Sequence, residues 1–140
     1  MASILIVGPS AALLEGVAQT LVGSGHHVAV AKDIPEAIET LQGKHPLIAL
    51  VHCEELIIRS SMLHTVLAHG GALLAFHCDE DDDARLPFSV KRTTLAELQL
   101  PLERQRLLAL VKYIENRAHA AGRDSSDGDD ESATERTNPG

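Results

Sequence analysis

The stretch that decides the fold is Leu47-Ile-Ala-Leu-Val-His52-Cys53-Glu54-Glu55-Leu56. Its first five residues form an unbroken apolar run, which is typical of a strand buried on both faces of a parallel sheet. The run stops at His52, so the sequence predicts a buried strand that leads into a loop. Open α/β sheets bind ligands where their strands end, and this makes His52 a candidate functional position.

Similar patterns continue in both directions from this strand. Further strands are predicted at residues 3–7, 27–31, 72–76 and 98–100. Helices are predicted between them: one capped by Ser10, one opened by the capping box Asp33–Glu36, one over residues 58–69 and one over residues 103–117. Residues 84–95 stay open between helix and loop, because Pro87 argues against one clean helix.

Strands that alternate with helices indicate right-handed βαβ crossovers and a parallel sheet covered on both faces. Five such units predict an α/β, flavodoxin-like three-layer sandwich with strand order 2-1-3-4-5. This domain takes residues 1–120. Residues 121–140 contain two alanines as their apolar side chains. Such a segment cannot bury enough surface to offset the entropy of ordering, so it is predicted to be a disordered acidic tail.

The charge of the chain limits its partners. The net charge is −8, and residues 1–120 carry 14 acidic residues against 10 lysines and arginines. This balance gives no basic face for phosphate backbones, so direct nucleic-acid binding is not expected. The sequence lacks an apolar run of membrane-spanning length and a signal-peptide pattern, which predicts a cytoplasmic protein that does not bind membranes. Two cysteines make no disulfide framework.

The order and spacing of these segments over residues 3–118 resemble the receiver domain of bacterial response regulators, the CheY-like fold. The segments that carry the resemblance are Ile4-Leu-Ile-Val7, Gly25-His-His-Val28, Pro35-Glu-Ala-Ile-Glu-Thr-Leu41, Pro46-Leu-Ile-Ala-Leu-Val51 and Leu100-Pro101-Leu102 with Leu107-Leu-Ala-Leu-Val111. The resemblance implies a role in two-component-type signal transduction and phosphorelay pathways.

The residues on which receiver chemistry depends are replaced in this chain. The resemblance places Gly8 and Pro9 where an acidic pair would hold Mg²⁺, and His52 where an aspartate would accept the phosphoryl group. His77 stands in place of the Thr or Ser, and Leu100 in place of the lysine. Mg²⁺ prefers oxygen ligands, commonly carboxylates. The chain is therefore predicted to be a degenerate receiver, or pseudo-receiver, that lacks the phosphoacceptor.

The position of the missing lysine has an alternative. Phe88-Ser-Val-Lys91 also resembles the strand and lysine of the family. That alignment would nearly delete the fourth helix and leave residues 98–102 unexplained, so Leu100 is preferred. The missing acidic residues do not depend on this choice.

The function expected from the resemblance is a protein–protein interaction module that works without phosphorylation, without a cofactor and without catalysis. Its partner, another protein or a second copy of the chain, would bind the surface of the fourth helix, fifth strand and fifth helix. The predicted contact residues are Leu102, Arg104, Arg106, Leu108, Lys112 and Tyr113. The alternative for these residues is a solvated helix face on which lysine and arginine stems cover apolar surface.

Two His-Cys pairs supply a second hypothesis, a metal- or redox-sensing domain. His52-Cys53 and His77-Cys78 follow strands that should be neighbours, and strand alternation is expected to place His52 and His77 on the same side. Imidazoles and thiolates bind Zn²⁺, with Glu54 or Asp79 nearby. Their spacing is not that of a zinc finger or ribbon, so the simpler interpretation is buried histidines that fill the space of the missing residues.

Other motifs give no catalytic or ligand-binding prediction. The acidic run of residues 79–83 lacks the ligand alternation of an EF-hand and is predicted to be a solvated loop. The turn Gly8-Pro9-Ser10 lacks a phosphate-binding fingerprint, and no nucleophile elbow is present. The protein is therefore not expected to be an enzyme.

Overall fold

Strands and helices alternate through the computed structural model of the chain, which describes residues 2–59, 61–62, 67, 71–78 and 85–127, with side chains to residue 120. The strands are β1 (Ser3–Val7), β2 (His27–Ala31), β3 (Ile48–His52), β4 (Ala72–His77) and β5 (Ala96–Gln99). The helices are α1 (Ala11–Gly23), α2 (Ile34–Leu41), α3 (Cys53–Arg59), α4 (Phe88–Lys91) and α5 (Arg104–Asp127).

The five strands form one parallel sheet of order β2-β1-β3-β4-β5, which confirms the predicted topology. Because side chains alternate along each strand, the sheet buries two apolar clusters, one on each face. The first cluster packs against α1 and α5, and that side is called the α1/α5 face. The second packs against α2, α3 and α4, and that side is called the α2/α3/α4 face. Together they give the predicted three-layer sandwich.

The predicted helix caps are present at both positions. The Ser10 hydroxyl accepts a hydrogen bond from the Leu13 N–H at 3.3 Å. The Asp33 carboxylate accepts one from the Glu36 N–H at 2.9 Å, and the Glu36 carboxylate in turn accepts one from the Lys32 N–H at 2.7 Å. These side chains satisfy N–H groups that a helix start leaves without an intrahelical acceptor.

The third helix begins earlier than predicted. It starts at Cys53, directly after β3, whereas the sequence predicted a loop and a helix from residue 58. Cys53 and Leu56 are both fully buried at a spacing of one helical turn, so tertiary burial favours an early start. Residues 60, 63–66, 68 and 69 of the predicted helix lie outside the described residues.

The C-terminal half contains the segment that the sequence could not assign to a helix or a loop. Residues 88–91 form a helix of one turn behind Pro87, and β5 begins at Ala96, two residues before its predicted start. Leu100 directly follows β5, whereas Lys91 is the last residue of α4.

Helix α5 continues beyond its predicted end, to Asp127. The first seven residues of the predicted disordered tail are therefore helical, and residues 128–140 lie outside the described part of the chain. None of the described helices, α5 included, combines the length and apolar character that a membrane span requires.

Candidate functional site

The carboxyl ends of the parallel strands bring the predicted degenerate positions to one edge of the sheet. Gly8 follows β1, His52 ends β3, His77 ends β4 and Leu100 follows β5. The Gly8 N–H donates a hydrogen bond to the Ala31 carbonyl at 3.1 Å, which fixes the chain as it leaves the sheet. This edge is where a receiver domain would hold its phosphoryl group, as the resemblance implies.

The ring of Phe76 occupies the space beside Gly8. A Cβ atom built on Gly8 would lie 2.9 Å from Phe76 Cζ and 3.3 Å from Leu14 Cδ2. Phe76 and Leu14 are both buried, so neither side chain can turn out to solvent. Without a shift of its neighbours, position 8 therefore has no room for the acidic side chain that the family carries there.

His52 takes part in the same packing. Its side chain is buried, and its ring meets Phe76 edge-on, with ring centroids 5.4 Å apart and an interplanar angle of 74°. Its Nδ1 accepts a hydrogen bond from the Glu54 N–H at 3.3 Å. Leu100 is also buried, within the core of the α1/α5 face. His52 is therefore a buried side chain held by a ring contact and a backbone hydrogen bond.

The residues at this edge do not fit a magnesium ion. Gly8, Pro9, His52, His77 and Leu100 bring no carboxylate to the positions that the resemblance assigns to metal and phosphoryl binding. Mg²⁺ demands octahedral oxygen coordination and is commonly held by one or two carboxylates. The side chains that replace them are imidazole or aliphatic, and the backbone at Gly8 lies against an aromatic ring.

The prediction that His52 and His77 share one side of the sheet is wrong. The register of β3 and β4 places His52 beside Phe76, one residue before His77. His77 therefore points to the α2/α3/α4 face, where its Nε2 lies 3.3 Å from the Sγ of Cys53. Cys78 packs against the cluster on the α1/α5 face. The four predicted candidates His52, Cys53, His77 and Cys78 are thus divided between the two faces, and Cys53 cannot pair with Cys78.

Glu97 on β5 is the residue that sequence reasoning missed. Its Oε1 lies 3.4 Å from His77 Nε2, and one ligand atom each of Cys53, His77 and Glu97 lie within 4.8 Å of one another. Glu54, which the sequence suggested as a nearby ligand, is exposed and outside this group, and Asp79 lies outside the described residues. The alternation Ala96-Glu97-Leu98 was the available signal, because a buried Leu98 places Glu97 on the opposite face.

The predicted partner-binding residues lie mostly at the surface. Leu102 is 83% exposed and Tyr113 52% exposed, whereas Leu108 packs partly against the core. Arg104, Arg106 and Lys112 are exposed, and Arg106 donates a hydrogen bond to the Glu97 carbonyl at 3.2 Å, which joins α5 to β5.

Two further exposed apolar residues belong to the same elements. Phe88 on α4 is 75% exposed, with the Arg92 guanidinium 5.7 Å from its ring centroid, and Leu95 before β5 is 43% exposed. Sequence reasoning missed both, because residues 84–95 could not be assigned to a helix or a loop. With the exposed members of the predicted set they define the edge surface, which comprises Phe88, Leu95, Leu102, Arg104, Arg106, Lys112 and Tyr113.

The fold is shared with solved structures that include two receiver domains of response regulators. The structure of NtrX from Brucella abortus in complex with ADP matches with a TM-score of 0.70 at 17% identity, over 90% of this chain and 28% of the NtrX chain. A CheY-like receiver domain protein from Methanospirillum hungatei matches with a TM-score of 0.63 at 18% identity, over 86% of this chain and 98% of its own. One from Clostridium thermocellum matches with a TM-score of 0.68 at 16% identity, over 86% and 99%.

The likeness to these structures is one of fold, namely the CheY-like arrangement of a flavodoxin-like sheet. The chain spans less than a third of the length of the NtrX chain. It spans nearly the whole length of the two single receiver domains. No protein-family model and no curated protein matches the sequence.

Proposed function

We propose that this chain is a degenerate receiver domain that acts as a phosphorylation-independent protein–protein interaction module in bacterial two-component-type signalling. The observation that carries the proposal is the ring of Phe76, which lies 2.9 Å from where a Cβ of residue 8 would be. Packed side chains occupy the edge at which a receiver would bind metal and phosphoryl group. The proposal includes a cytoplasmic location and no catalytic activity.

In a receiver that cannot be phosphorylated, something other than phosphorylation must set the conformational state. A ligand shifts a conformational equilibrium only through its different affinities for the two states, so a partner protein can set the state that phosphorylation sets elsewhere. Alternatively, the chain binds its partner constitutively through a surface that does not change conformation. In both forms the function lies in a binding surface, and in neither does it need chemistry at His52.

The edge surface is our candidate for that binding surface. Phe88, Leu102 and Tyr113 expose large apolar or aromatic groups, and such residues often supply most of the binding energy at interfaces. Exposed cations, among them Arg104 and Lys112, surround them. This composition suits a partner that offers an apolar patch with an acidic rim. The partner is a different protein or a second copy of the chain.

Direct phosphorylation tests the first half of the proposal. The protein is incubated with acetyl phosphate and Mg²⁺, and its intact mass is measured beside that of a receiver domain that carries the acceptor aspartate. We expect no phosphoryl adduct on this chain. An adduct that disappears in His52→Gln would overturn phosphorylation independence and would make His52 the acceptor.

Paired variants of exposed residues test the second half. Leu102→Asp should abolish or weaken self-association in sedimentation experiments, or capture of a partner, whereas Ile58→Asp on α3, at 68% exposure, should not. Loss of one strong contact residue costs at least about 2 kcal/mol, or roughly 30-fold in Kd. The charge reversal Arg104→Glu has the exposed Lys44→Glu as its control. Equal binding by Leu102→Asp and Ile58→Asp would exclude the edge surface.

A further inference from the structure

Three neighbouring strands bring a thiol, an imidazole and a carboxylate together on the α2/α3/α4 face. Cys53 directly follows β3, His77 ends β4 and Glu97 lies within β5. Cys53 Sγ is 3.3 Å from His77 Nε2, and His77 Nε2 is 3.4 Å from Glu97 Oε1. Cys53 and Glu97 do not occupy positions that the resemblance assigns to metal or phosphoryl binding. His77 stands in the place of the Thr or Ser.

These separations are those of ligands around one ion. A tetrahedral zinc ion with its usual bond lengths holds sulfur and nitrogen ligands roughly 3.5 Å apart, and nitrogen and oxygen ligands roughly 3.4 Å apart. The observed distances of 3.3 and 3.4 Å therefore need almost no adjustment. The third pair, sulfur and carboxylate oxygen, lies within 4.8 Å. Glu97 is partly exposed, so rotation of its side chain can close that gap.

The shared nitrogen distinguishes this cluster from a catalytic relay. In a Cys-His-acid relay, the thiol and the carboxylate use different ring nitrogens, because the imidazole passes a proton between them. Here both Cys53 and Glu97 approach Nε2 of His77. With both groups on the same nitrogen the imidazole cannot pass a proton from one to the other, whereas the three donor atoms can all face a cation placed between them.

The donor set selects the class of cation. Thiolate and imidazole suit borderline ions such as Zn²⁺ and Co²⁺, whereas Mg²⁺ and Ca²⁺ prefer oxygen. Cys53 is fully buried, but the side chains of His77 and Glu97 are 19% and 30% exposed, so the cluster opens to solvent at its carboxylate end. Lys91 Nζ lies 3.9 Å from the other carboxylate oxygen, Oε2. Three protein ligands leave one position for water or another small ligand.

We propose that Cys53, His77 and Glu97 form a binding site for a divalent cation of the zinc class. The site links β3, β4 and β5 at their carboxyl ends, beside the edge surface. The proposal does not rest on the proposed interaction function, since the strand register places His77 and Glu97 on the opposite face of the sheet from Phe76.

A titration of the reduced full chain with Co²⁺ tests this site. We expect thiolate-to-cobalt charge-transfer absorption that saturates at one equivalent and is displaced by Zn²⁺. Cys53→Ser should remove the charge-transfer band. Glu97→Gln and His77→Gln should weaken binding more than about tenfold, because loss of even an outer partner of a metal ligand costs 10- to 100-fold.

The chain supplies its own controls on the other face of the sheet. Cys78→Ser and His52→Gln should bind Co²⁺ as the wild type does, since both residues lie on the α1/α5 side. Far-ultraviolet circular dichroism of each variant confirms that the fold is retained, and Glu97→Gln changes a partly exposed residue if Cys53→Ser proves unstable. A titration without a saturable thiolate band overturns the proposal. So does a band that survives Cys53→Ser or is lost in Cys78→Ser.

Discussion

Replacing Gly8 by alanine would place a methyl group against the buried ring of Phe76. The new Cβ would lie 2.9 Å from Phe76 Cζ, a distance that carbon atoms in proteins essentially never adopt, and 3.3 Å from Leu14 Cδ2. Phe76 is 1% exposed and lies among core residues, so the ring has no open side toward which it can move. The strain must be shared by the ring, Leu14 and the backbone after β1.

The size of the effect follows from the cost of overpacking. One extra methyl group in a close-packed core costs about 1–3 kcal/mol. Phe76→Leu removes the atom that collides, so Gly8→Ala should cost less than about 1 kcal/mol in that background. The two substitutions should therefore show a coupling energy of about 1 kcal/mol or more, within the range seen for residues in contact.

Urea unfolding measures all four members of this cycle. With an m-value of about 1–3 kcal/mol/M, a loss of about 2 kcal/mol lowers the midpoint by roughly 1 M. Gly16→Ala on α1 is the matched control, because its Cβ meets nothing within 4 Å, and it should stabilise by about 0.4–1 kcal/mol. Equal costs of Gly8→Ala in the wild-type and Phe76→Leu backgrounds would refute the reasoning, as would no cost at all.

Two further predictions concern carboxylates that accept backbone hydrogen bonds. Buried Glu55 accepts the Ile34 N–H at 2.8 Å, so Glu55→Ala should destabilise by about 1–3 kcal/mol in thermal or urea unfolding, and the exposed control Glu54→Ala by far less. Glu103 accepts the Gln99 N–H at 2.7 Å, which lowers the pKa of its carboxyl. A lowered pKa stabilises the fold above the unfolded-state pKa, and this contribution is lost as the pH falls through the folded-state pKa. The destabilisation by Glu103→Gln should therefore shrink toward acid pH; a constant difference would contradict this, and carboxyl NMR titration measures the pKa itself.

The sheet could be predicted because its signals are local. Five apolar runs separated by helical spacing are visible in the sequence, and a parallel sheet of short βαβ units has few sensible orders. The start of α3 could not be predicted, because the helix begins at Cys53 as a result of tertiary contacts that bury this side chain in the folded core. The choice between Leu100 and Lys91 needed only the length of the chain between β4 and α5.

The metal-ligand cluster could be predicted only in part, because strand register is set by tertiary packing. Cys53 and His77 were recognised as candidates, but a difference of one residue in register decides whether His52 or Cys53 faces His77. Glu97 was missed because β5 is four residues long and was placed two residues late. The edge surface depended on the family resemblance, since exposure of Phe88 cannot be inferred from its apolar side chain.

The contact between Gly8 and Phe76 also limits how this sequence can change. An acidic residue at position 8 requires a smaller residue at position 76, yet truncating a buried phenylalanine to alanine costs about 3–5 kcal/mol of a total stability of about 5–15 kcal/mol. Adding the acidic residue first incurs the overpacking cost instead. Each order passes through a weakened protein, so single substitutions are expected to leave glycine at position 8 while the exposed residues of the chain diversify.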